Sequence, residues 1–517
     1  MRAGARSRSS VRWSACVLAA ILALAACGGD DDDDDASPSG TGGDTSTDQS
    51  TETPSGEITA LEVDRSSRFA GLDSFCEPAT EEPSEEPEAT DDGITEDSIS
   101  VTHIRVTLED LAEIGFGVPI GNPRDQAERF VGIVNDRCGG IHGRRLDLSL
   151  VEAPPLAPEG EDPQAIAQRA CIEATEDNHA VFAWSGSGWG GQGGAGCVTD
   201  AHDTIYITTY NVTQQEFENA DNRLYSLALS SADGLEYLAR TLHEQGAFEG
   251  KTVGVVMQDS PGDPDIVQDG LLDTLDELGV DVKRADALGC GGGNACTTGV
   301  IESVQGMISD GVDVLFPLLN LINLPAYIGE MVTQGVQPGQ VQFYQSGYNA
   351  QNGDLVSSKV YVFSGDAAGQ LYNGTKIVAA GATGAFRLPD FAPSEFSEMC
   401  NREYQEAGGE TYTATDPETN SAYGATVGQC TFIRTIARAI EAAGPNPTRE
   451  DLAAAVEGLG AIDTGGEFPG SFGPDKYTAP NSLSMMTWNY PCPPDMKPFD
   501  GICILPEGDP FPIPSGD

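Results

Sequence analysis

Basic residues are scarce in this sequence. Of its 517 residues, 27 are lysine or arginine and 81 are aspartate or glutamate, which gives a formal net charge of −54 at pH 7. Nucleic acids and anionic membrane surfaces attract basic proteins and repel strongly acidic ones. The charge balance therefore excludes both as expected partners.

Features that would indicate catalysis are also few. A Gly186-x-Gly188-x-x-Gly191 pattern resembles a dinucleotide fingerprint, but it follows the third predicted strand instead of the first, and no acidic residue ends the next strand. We therefore expect no enzyme activity, no cofactor and no bound metal. The five histidines are scattered and suggest no base or metal cluster: His103, His142, His179, His202 and His243.

The N-terminus carries the order of a secretory signal. Four arginines precede an apolar run from Ala15 to Ala26, which is too short to span a membrane comfortably and ends in small residues. The residues from Leu24 to Gly28 resemble the bacterial lipobox, whose cysteine is acylated and becomes the new N-terminus. We expect residues 1–27 to be a lipoprotein signal, with Cys27 lipidated and the protein anchored outside the cytoplasm by that lipid alone.

The segment 28–92 contains little that could build a core. It begins with two glycines and then six aspartates, Asp30 to Asp35, and it holds 21 acidic but only 2 basic residues. A segment of this composition cannot bury enough apolar surface to offset its loss of conformational entropy. We therefore expect residues 28–92 to be a disordered acidic tether.

Ten cysteines remain when those in the signal and at the lipid site are set aside. An even number in an exported chain favours disulfides. Short loops bring Cys290 close to Cys296 and Cys492 close to Cys503, so these two pairs are expected most firmly. The pairing of the other six stays open, and one choice is Cys171 with Cys197, Cys400 with Cys430, and Cys76 with Cys138.

Residues 93–517 are enough for two domains, and their pattern is that of parallel α/β sheets, in which β-branched runs alternate with helix-like stretches. The first series has strands at 98–106, 145–151, 180–184 and 204–208, with helices at 123–135 and 163–175. The second has strands at 252–257, 281–285, 312–317 and 340–344, with helices at 234–244 and 265–278. A long helix is predicted at 426–443.

Three motifs carry a resemblance to a known family. Residues 93–99 open the first domain, Gly139-Gly140-Ile141-His142-Gly143-Arg144 follows the first helix, and residues 250–255 open the second domain. With these motifs in this order, the chain resembles the type I periplasmic binding proteins, in particular the branched-chain amino acid and amide receptors of ABC transporters. The similarity covers roughly residues 93–490.

The resemblance implies two doubly wound parallel-sheet lobes joined by three hinge crossovers, near 225–230, 360–365 and 477–486. Lobe 1 would comprise residues 93–227 and 365–478, and lobe 2 residues 228–364 and 479–517. It implies a monomer that captures a small molecule between the lobes and delivers it to an ABC permease. A ligand-sensing receptor without a transport role remains the alternative.

Ligands of open α/β sheets bind beyond the carboxyl ends of the strands. The resemblance places the following residues there in lobe 1: Ser185, Ser187, Trp189, Thr209, Tyr210 and Asn211. In lobe 2 the comparable positions hold Asp259, Asn320 and Tyr348. We expect Trp189 and Tyr348 to contact the ligand and to contribute little to folding, since loop residues seldom belong to a core.

The ligand class follows from a departure from the family. Amino-acid-binding members present an acidic residue of the second lobe to the ligand ammonium, but the stretch Gln345 to Asn349 contains none. Asp259 could replace it from a neighbouring strand. Four aromatic residues near the cleft favour a larger or flatter apolar solute over a small aliphatic amino acid: Trp184, Trp189, Tyr210 and Tyr348.

Overall fold

A computed structural model describes residues 58, 61–80, 85–108, 117, 119–154, 161–186, 189, 193–209, 212–291, 295–381 and 383–514. Its first sheet has five parallel strands in the order β2-β1-β3-β4-β5. These strands are β1 (Ser98–Val106), β2 (Arg145–Ala153), β3 (Phe182–Ser185), β4 (Ile205–Thr208) and β5 (Leu224–Ser226). We call this sheet, with the helices packed on it, lobe 1.

Four helices connect the strands of lobe 1: α1 (Pro123–Gly132), α2 (Pro163–Ile172), α3 (Gly194–Gly196) and α4 (Gln214–Asn219). Helix α1 begins where Asn122 accepts a hydrogen bond from the backbone of Asp125 and Pro123 occupies the first turn. Helices α1, α2 and α3 continue as π-helical turns over Ile133–Arg137, Glu173–Asp177 and Cys197–Ala201.

Lobe 2 is built on a seven-stranded sheet in the order β14-β13-β10-β9-β8-β6-β7. Its strands are β6 (Val253–Gln258), β7 (Val282–Leu288), β8 (Val314–Leu318), β9 (Gln342–Gln345), β10 (Lys376–Ala379), β13 (Ser482–Asn489) and β14 (Cys503–Pro512). Strands β6 to β10 are parallel, whereas β13 and β14 are antiparallel additions at one edge. The mixed α/β core with parallel sheets confirms the predicted fold class.

The helices between these strands cover both faces of the second sheet. They are α5 (Ser231–Glu244), α6 (Asp263–Val267), α7 (Asp273–Glu277), α8 (Val300–Asp310), α9 (Asn323–Thr333), α10 (Asp354–Ser357) and α11 (Lys359–Tyr372). A π-helical turn, Gln268–Leu272, joins α6 to α7, and short 3₁₀ turns form at Tyr348–Ala350 and Ala385–Arg387. Helix α11 is kinked at Gly365, whose φ is 76°.

After β10 the chain returns to lobe 1. There it forms α12 (Glu395–Glu406), α13 (Asn420–Ala443), α14 (Arg449–Glu457) and the small hairpin of β11 (Ala461–Ile462) and β12 (Gly470–Ser471). Helices α12 and α13 share one hydrophobic core with α1 and the first sheet.

The second crossover lies later in the chain than the sequence predicted. Residues 365–379 were assigned to lobe 1, but β10 pairs with β9 and β13 in the second sheet, and α11 packs on α9. The apolar run Ile377 to Ala379 is buried there, which keeps this stretch in lobe 2. The return to lobe 1 therefore falls between β10 and α12.

The expectation of a disordered segment over 28–92 is wrong for its second part. Residues 61–80, which we call the N-terminal strap, fold onto lobe 1 and place Phe69 and Phe75 fully inside its core. The Phe75 ring stacks on Phe130 of α1 at 5.4 Å between centroids. Averaging the composition over the whole acidic segment hid this local group of apolar residues.

Five disulfides join the ten cysteines: Cys76–Cys138, Cys171–Cys197, Cys290–Cys296, Cys400–Cys430 and Cys492–Cys503. The first of these ties the strap to the end of the helical segment that follows β1. Within the part of the chain that the structure covers, no helix combines the length and apolarity needed to cross a membrane.

Candidate functional site

The carboxyl edge of the first sheet carries two of the predicted ligand residues. Ser185 ends β3 and is fully buried, while Thr209 follows β4 and is exposed. Thr209 N donates to the Ser185 carbonyl at 3.2 Å, so the two strand ends are held together. The Ser185 hydroxyl has no hydrogen-bond partner among the described residues. Most buried side-chain polar atoms have a hydrogen-bond partner, so this hydroxyl is an exception.

Trp189 is buried beneath this edge and does not form part of an open cleft surface. Its ring is 5% exposed and meets Tyr206 edge-on at 5.7 Å, within the hydrophobic core on one face of the first sheet. The Tyr206 hydroxyl donates to the Trp189 carbonyl at 2.6 Å. Trp189 Nε1 is buried and has no acceptor among the described residues. The expectation that Trp189 contributes little to folding is therefore wrong, but its Nε1 is a donor in need of an acceptor.

Trp184 belongs to the opposite face of the same sheet. It is fully buried, its Nε1 donates to Gln429 Oε1 of α13 at 2.9 Å, and its ring stacks on His103 at 5.1 Å. Burial lowers the pKa of His103 to about 3, so this imidazole is neutral at physiological pH. Trp184 is thus a core residue, and the prediction that it lines the cleft was wrong.

Gln258, the last residue of β6, organises the carboxyl edge of lobe 2. Its Oε1 accepts from Asn320 N at 2.8 Å and from Asn323 Nδ2 at 2.9 Å, and its Nε2 donates to Asp263 Oδ2 at 2.9 Å. The Asn320 Oδ1 in turn accepts from Asn323 N, the first residue of α9, at 3.0 Å. The ends of β6 and β8 and the starts of α6 and α9 are therefore joined through one amide side chain.

Tyr348 joins the same network from the loop after β9. Its hydroxyl donates to Asp263 Oδ1, and its ring is 2% exposed within the core of lobe 2. Burial raises the pKa of Asp263, against the lowering effect of the hydrogen bonds from Tyr348 and Gln258. Tyr348 is therefore a structural residue of this edge, contrary to the expectation that folding would not depend on it. Asp259 is exposed, and its carboxylate accepts from Cys290 N at 2.6 Å.

The structure thus groups Ser185, Trp189 and Thr209 at one edge, and Asn320 and Tyr348 at the other. Sequence reasoning missed Gln258 and Asp263, although the position of Gln258 at the end of an apolar strand could have revealed it. Four predicted functional residues lie outside the described part of the chain: Cys27, Ser187, Tyr210 and Asn211.

One group of potential metal ligands comes together among the described residues. Ligand atoms of Cys171, Cys197 and His202 lie within 4.8 Å of one another. The two sulfurs are joined in a disulfide, so they are not the thiolates that zinc requires.

Solved structures share the fold of this chain. A solute-binding protein of an ABC transporter from R. palustris, in complex with 4-hydroxybenzoate, superposes with a TM-score of 0.54 at 16% identity, over 81% of this chain and 98% of that one. The chain has the type I solute-binding protein fold. This confirms, at the level of the fold, the resemblance found in the sequence.

Two further proteins with this fold are named for other solutes. A branched-chain amino acid ABC transporter protein from Thermus thermophilus with bound valine has a TM-score of 0.55 at 13% identity, over 80% of this chain and 97% of that one. A fatty acid ABC transporter substrate-binding protein from Thermomonospora curvata has a TM-score of 0.53 at 16% identity, over 84% and 96%. No family model and no curated protein matches the sequence.

Proposed function

We propose that this protein is an exported solute-binding lipoprotein that captures a small molecule between its lobes and delivers it to an ABC importer. The observation that carries the proposal is the pair of strand-end edges, one in each lobe, on a chain that crosses between the lobes three times. Hinge motion about such crossovers closes two lobes around a ligand. The carboxyl ends of parallel strands are where this class of sheet binds ligands.

The hydrogen-bonding groups favour a ligand that carries a carboxylate and needs no acidic partner. At the edge of lobe 1, Ser185 Oγ and Trp189 Nε1 lack described partners and can both donate. At the edge of lobe 2, the carboxylates of Asp259 and Asp263 already accept hydrogen bonds from protein groups. The stretch Gln345 to Asn349 offers an amino-acid ammonium no acidic residue, so we propose an aromatic or aliphatic carboxylic acid as ligand.

The cleft assignment predicts a specific loss of affinity in Ser185→Ala. Removing one hydrogen bond to a carboxylate costs about 1.5–3 kcal/mol, which is roughly ten- to 150-fold weaker binding. Native mass spectrometry of the purified protein would first identify any retained ligand. Calorimetric titration would then compare L-valine, 4-hydroxybenzoate and decanoate on the wild type and the variant.

Thr241→Val is a matched control for that experiment. The Thr241 hydroxyl is also buried without a described partner, but it lies near the end of α5 and away from the strand ends. We expect the ligand affinity of Thr241→Val to equal that of the wild type. Small-angle scattering of the wild type should show a more compact particle with ligand than without it. Equal affinity in Ser185→Ala would place the site elsewhere.

The proposed anchor predicts that Cys27→Ser releases the protein from membranes. Acyl chains bind a bilayer through the burial of their methylene groups, and the lipid is the only anchor expected. After ultracentrifugation of cell lysates, the variant should be in the soluble fraction, whereas the wild type should be in the membrane pellet. Cys16→Ser, within the expected signal peptide, should remain in the pellet; membrane retention of Cys27→Ser would contradict the lipoprotein assignment.

A further inference from the structure

A pocket of about 480 Å³ lies at the hinge between the lobes. Its walls come from α4 of lobe 1, from α5 of lobe 2, from residues 475–481 of the third crossover and from Leu61 of the N-terminal strap. None of the described strand-end residues of the cleft lines it. Its volume falls within the range of small-molecule sites, about 300–1,000 Å³.

Three aromatic residues are among those that line this pocket. Phe217 of α4 and Tyr477 of the crossover stack at 5.6 Å between centroids with an interplanar angle of 16°. The Tyr477 hydroxyl donates to Asn222 Oδ1 at 3.0 Å, which fixes the orientation of its ring. Tyr237 of α5 adds a third ring. Aromatic faces attract organic cations through the ring quadrupole.

Acidic residues outnumber basic ones in the lining of this pocket. Asp233 and Asp475 both line it, and neither takes part in an ion pair among the described residues. Burial raises the pKa of Asp233, as expected for a carboxylate that lacks a nearby cation. Lys476, the one basic residue of the lining, directs its Nζ at the carbonyls of Ser471 and Thr478, at 2.9 and 2.6 Å.

We propose that the hinge pocket is a second binding site, for a small organic cation with an aromatic or aliphatic body, and that its occupancy biases the angle between the lobes. The aromatic rings bind the body of the ligand, and the two carboxylates bind its charge. The pocket shares none of its lining residues with the described strand-end residues of the cleft.

The influence on the lobe angle follows from where the walls come from. The first and third crossovers are joined directly, because Ser226 N donates to the Tyr477 carbonyl and Ala479 N to the Ser226 carbonyl, both at 2.8 Å. A change in lobe angle moves α4 and α5 relative to these strands. A ligand that fits one angle better shifts the equilibrium by the difference between its two binding free energies.

The test uses benzylamine, which is charged at neutral pH, and benzyl alcohol as a neutral compound of nearly the same shape. We expect benzylamine to bind in a calorimetric titration and benzyl alcohol to bind at least ten-fold more weakly. Asp233→Asn should weaken the binding of benzylamine at least ten-fold. Asp276→Asn makes the same change of charge at an exposed position of α7 and should leave the affinity unchanged.

Equal affinities for the two compounds, or an unchanged affinity in Asp233→Asn, would overturn the site. Because Asp233 lies in the first turn of α5, Tyr237→Ala provides a second variant with the same expected loss, and circular dichroism checks that both fold. Saturating benzylamine should change the radius of gyration of the wild type, and an unchanged scattering profile would overturn the coupling. Ser185→Ala should bind benzylamine normally, which separates this site from the cleft.

Discussion

Removal of the disulfide between the N-terminal strap and lobe 1 is expected to lower the free energy of unfolding by about 4 kcal/mol. Cys76 and Cys138 are 62 residues apart, so their bond removes a large amount of conformational entropy from the unfolded chain. The strap depends on this link, since it lies across the surface of lobe 1 and has no regular secondary structure of its own. The change is the double variant Cys76→Ala/Cys138→Ala.

Other contacts hold the strap close to the position of the disulfide. The buried Arg434 of α13 donates to the Phe69 carbonyl at 2.5 Å and to the Gly71 carbonyl at 2.8 Å, and burial lowers its pKa to about 10. Arg68 Nη1 donates to the Cys138 carbonyl at 3.0 Å, and Nη2 donates to Gly140 O at 2.6 Å. We therefore expect the variant to fold with a weakened strap.

Hydrogen–deuterium exchange and urea denaturation would measure the effect. In the double variant, protection of the backbone amides against exchange should fall over β1 of lobe 1 and stay unchanged over β6 of lobe 2. Cys290→Ala/Cys296→Ala is the matched control, because its six-residue separation predicts a smaller loss, about 2 kcal/mol. Equal losses in the two variants would show that the strap contributes no long-range restraint.

Arg387→Leu is expected to destabilise lobe 2 by about 3–5 kcal/mol, the usual cost of leaving one member of a buried ion pair alone. The Arg387 side chain is fully buried, with Nη2 at 2.6 Å from Asp354 Oδ2. Its Nε also donates to the Lys497 carbonyl at 2.7 Å. These bonds fasten the second crossover to α10 and to the segment before β14.

The backbone next to Arg387 packs closely against β14. Gly384 has a φ of +83°, and a Cβ there would lie 1.9 Å from the Ile504 carbonyl oxygen. Ile504 N donates to Asp354 Oδ1 at 3.2 Å. Loss of the guanidinium therefore leaves the buried Asp354 carboxylate without its cationic partner.

Urea denaturation of three variants tests this prediction. Arg387→Leu/Asp354→Asn should recover part of the lost stability, because the amide oxygen still accepts from Ile504 N and no buried charge remains. Arg169→Leu removes an exposed ion pair with Glu161 and should change stability by less than about 1 kcal/mol. A cost for Arg387→Leu as small as that of Arg169→Leu would show that the buried pair does not hold the crossover.

Local patterns in the sequence predicted most helices and strands near their observed bounds. The strand at 98–106 coincides with β1, and the helix predicted from residue 123 begins there as α1. Alternating burial, helix caps and helix breakers each depend on residues a few positions apart. A single sequence is therefore enough to predict them. The Gly139–Arg144 motif indicated the fold for a similar reason. Gly140, with a φ of +75°, has no room for a Cβ beside the Arg144 carbonyl.

Contacts between distant segments decided the features that local patterns did not predict. Trp184, Trp189 and Tyr348 lie at or just beyond strand ends, as predicted, but whether such a ring faces ligand or core depends on the helices and loops that cover it. Gln258 became the centre of the lobe 2 edge because Asn320, Asn323 and Asp263 converge on it from three other elements.

The sequence by itself determined the acidic charge, the signal-like N-terminus, the alternation of strands and helices and the class of fold. Only the tertiary structure decided that the N-terminal strap is folded, that β10 belongs to lobe 2 and that a pocket forms at the hinge. Each of these depends on contacts between segments far apart in the chain, as Phe75 N shows by donating to Glu403 Oε1 at 3.1 Å. Composition and periodicity report on windows of a few residues, and they carry no information about which distant surface will cover a segment.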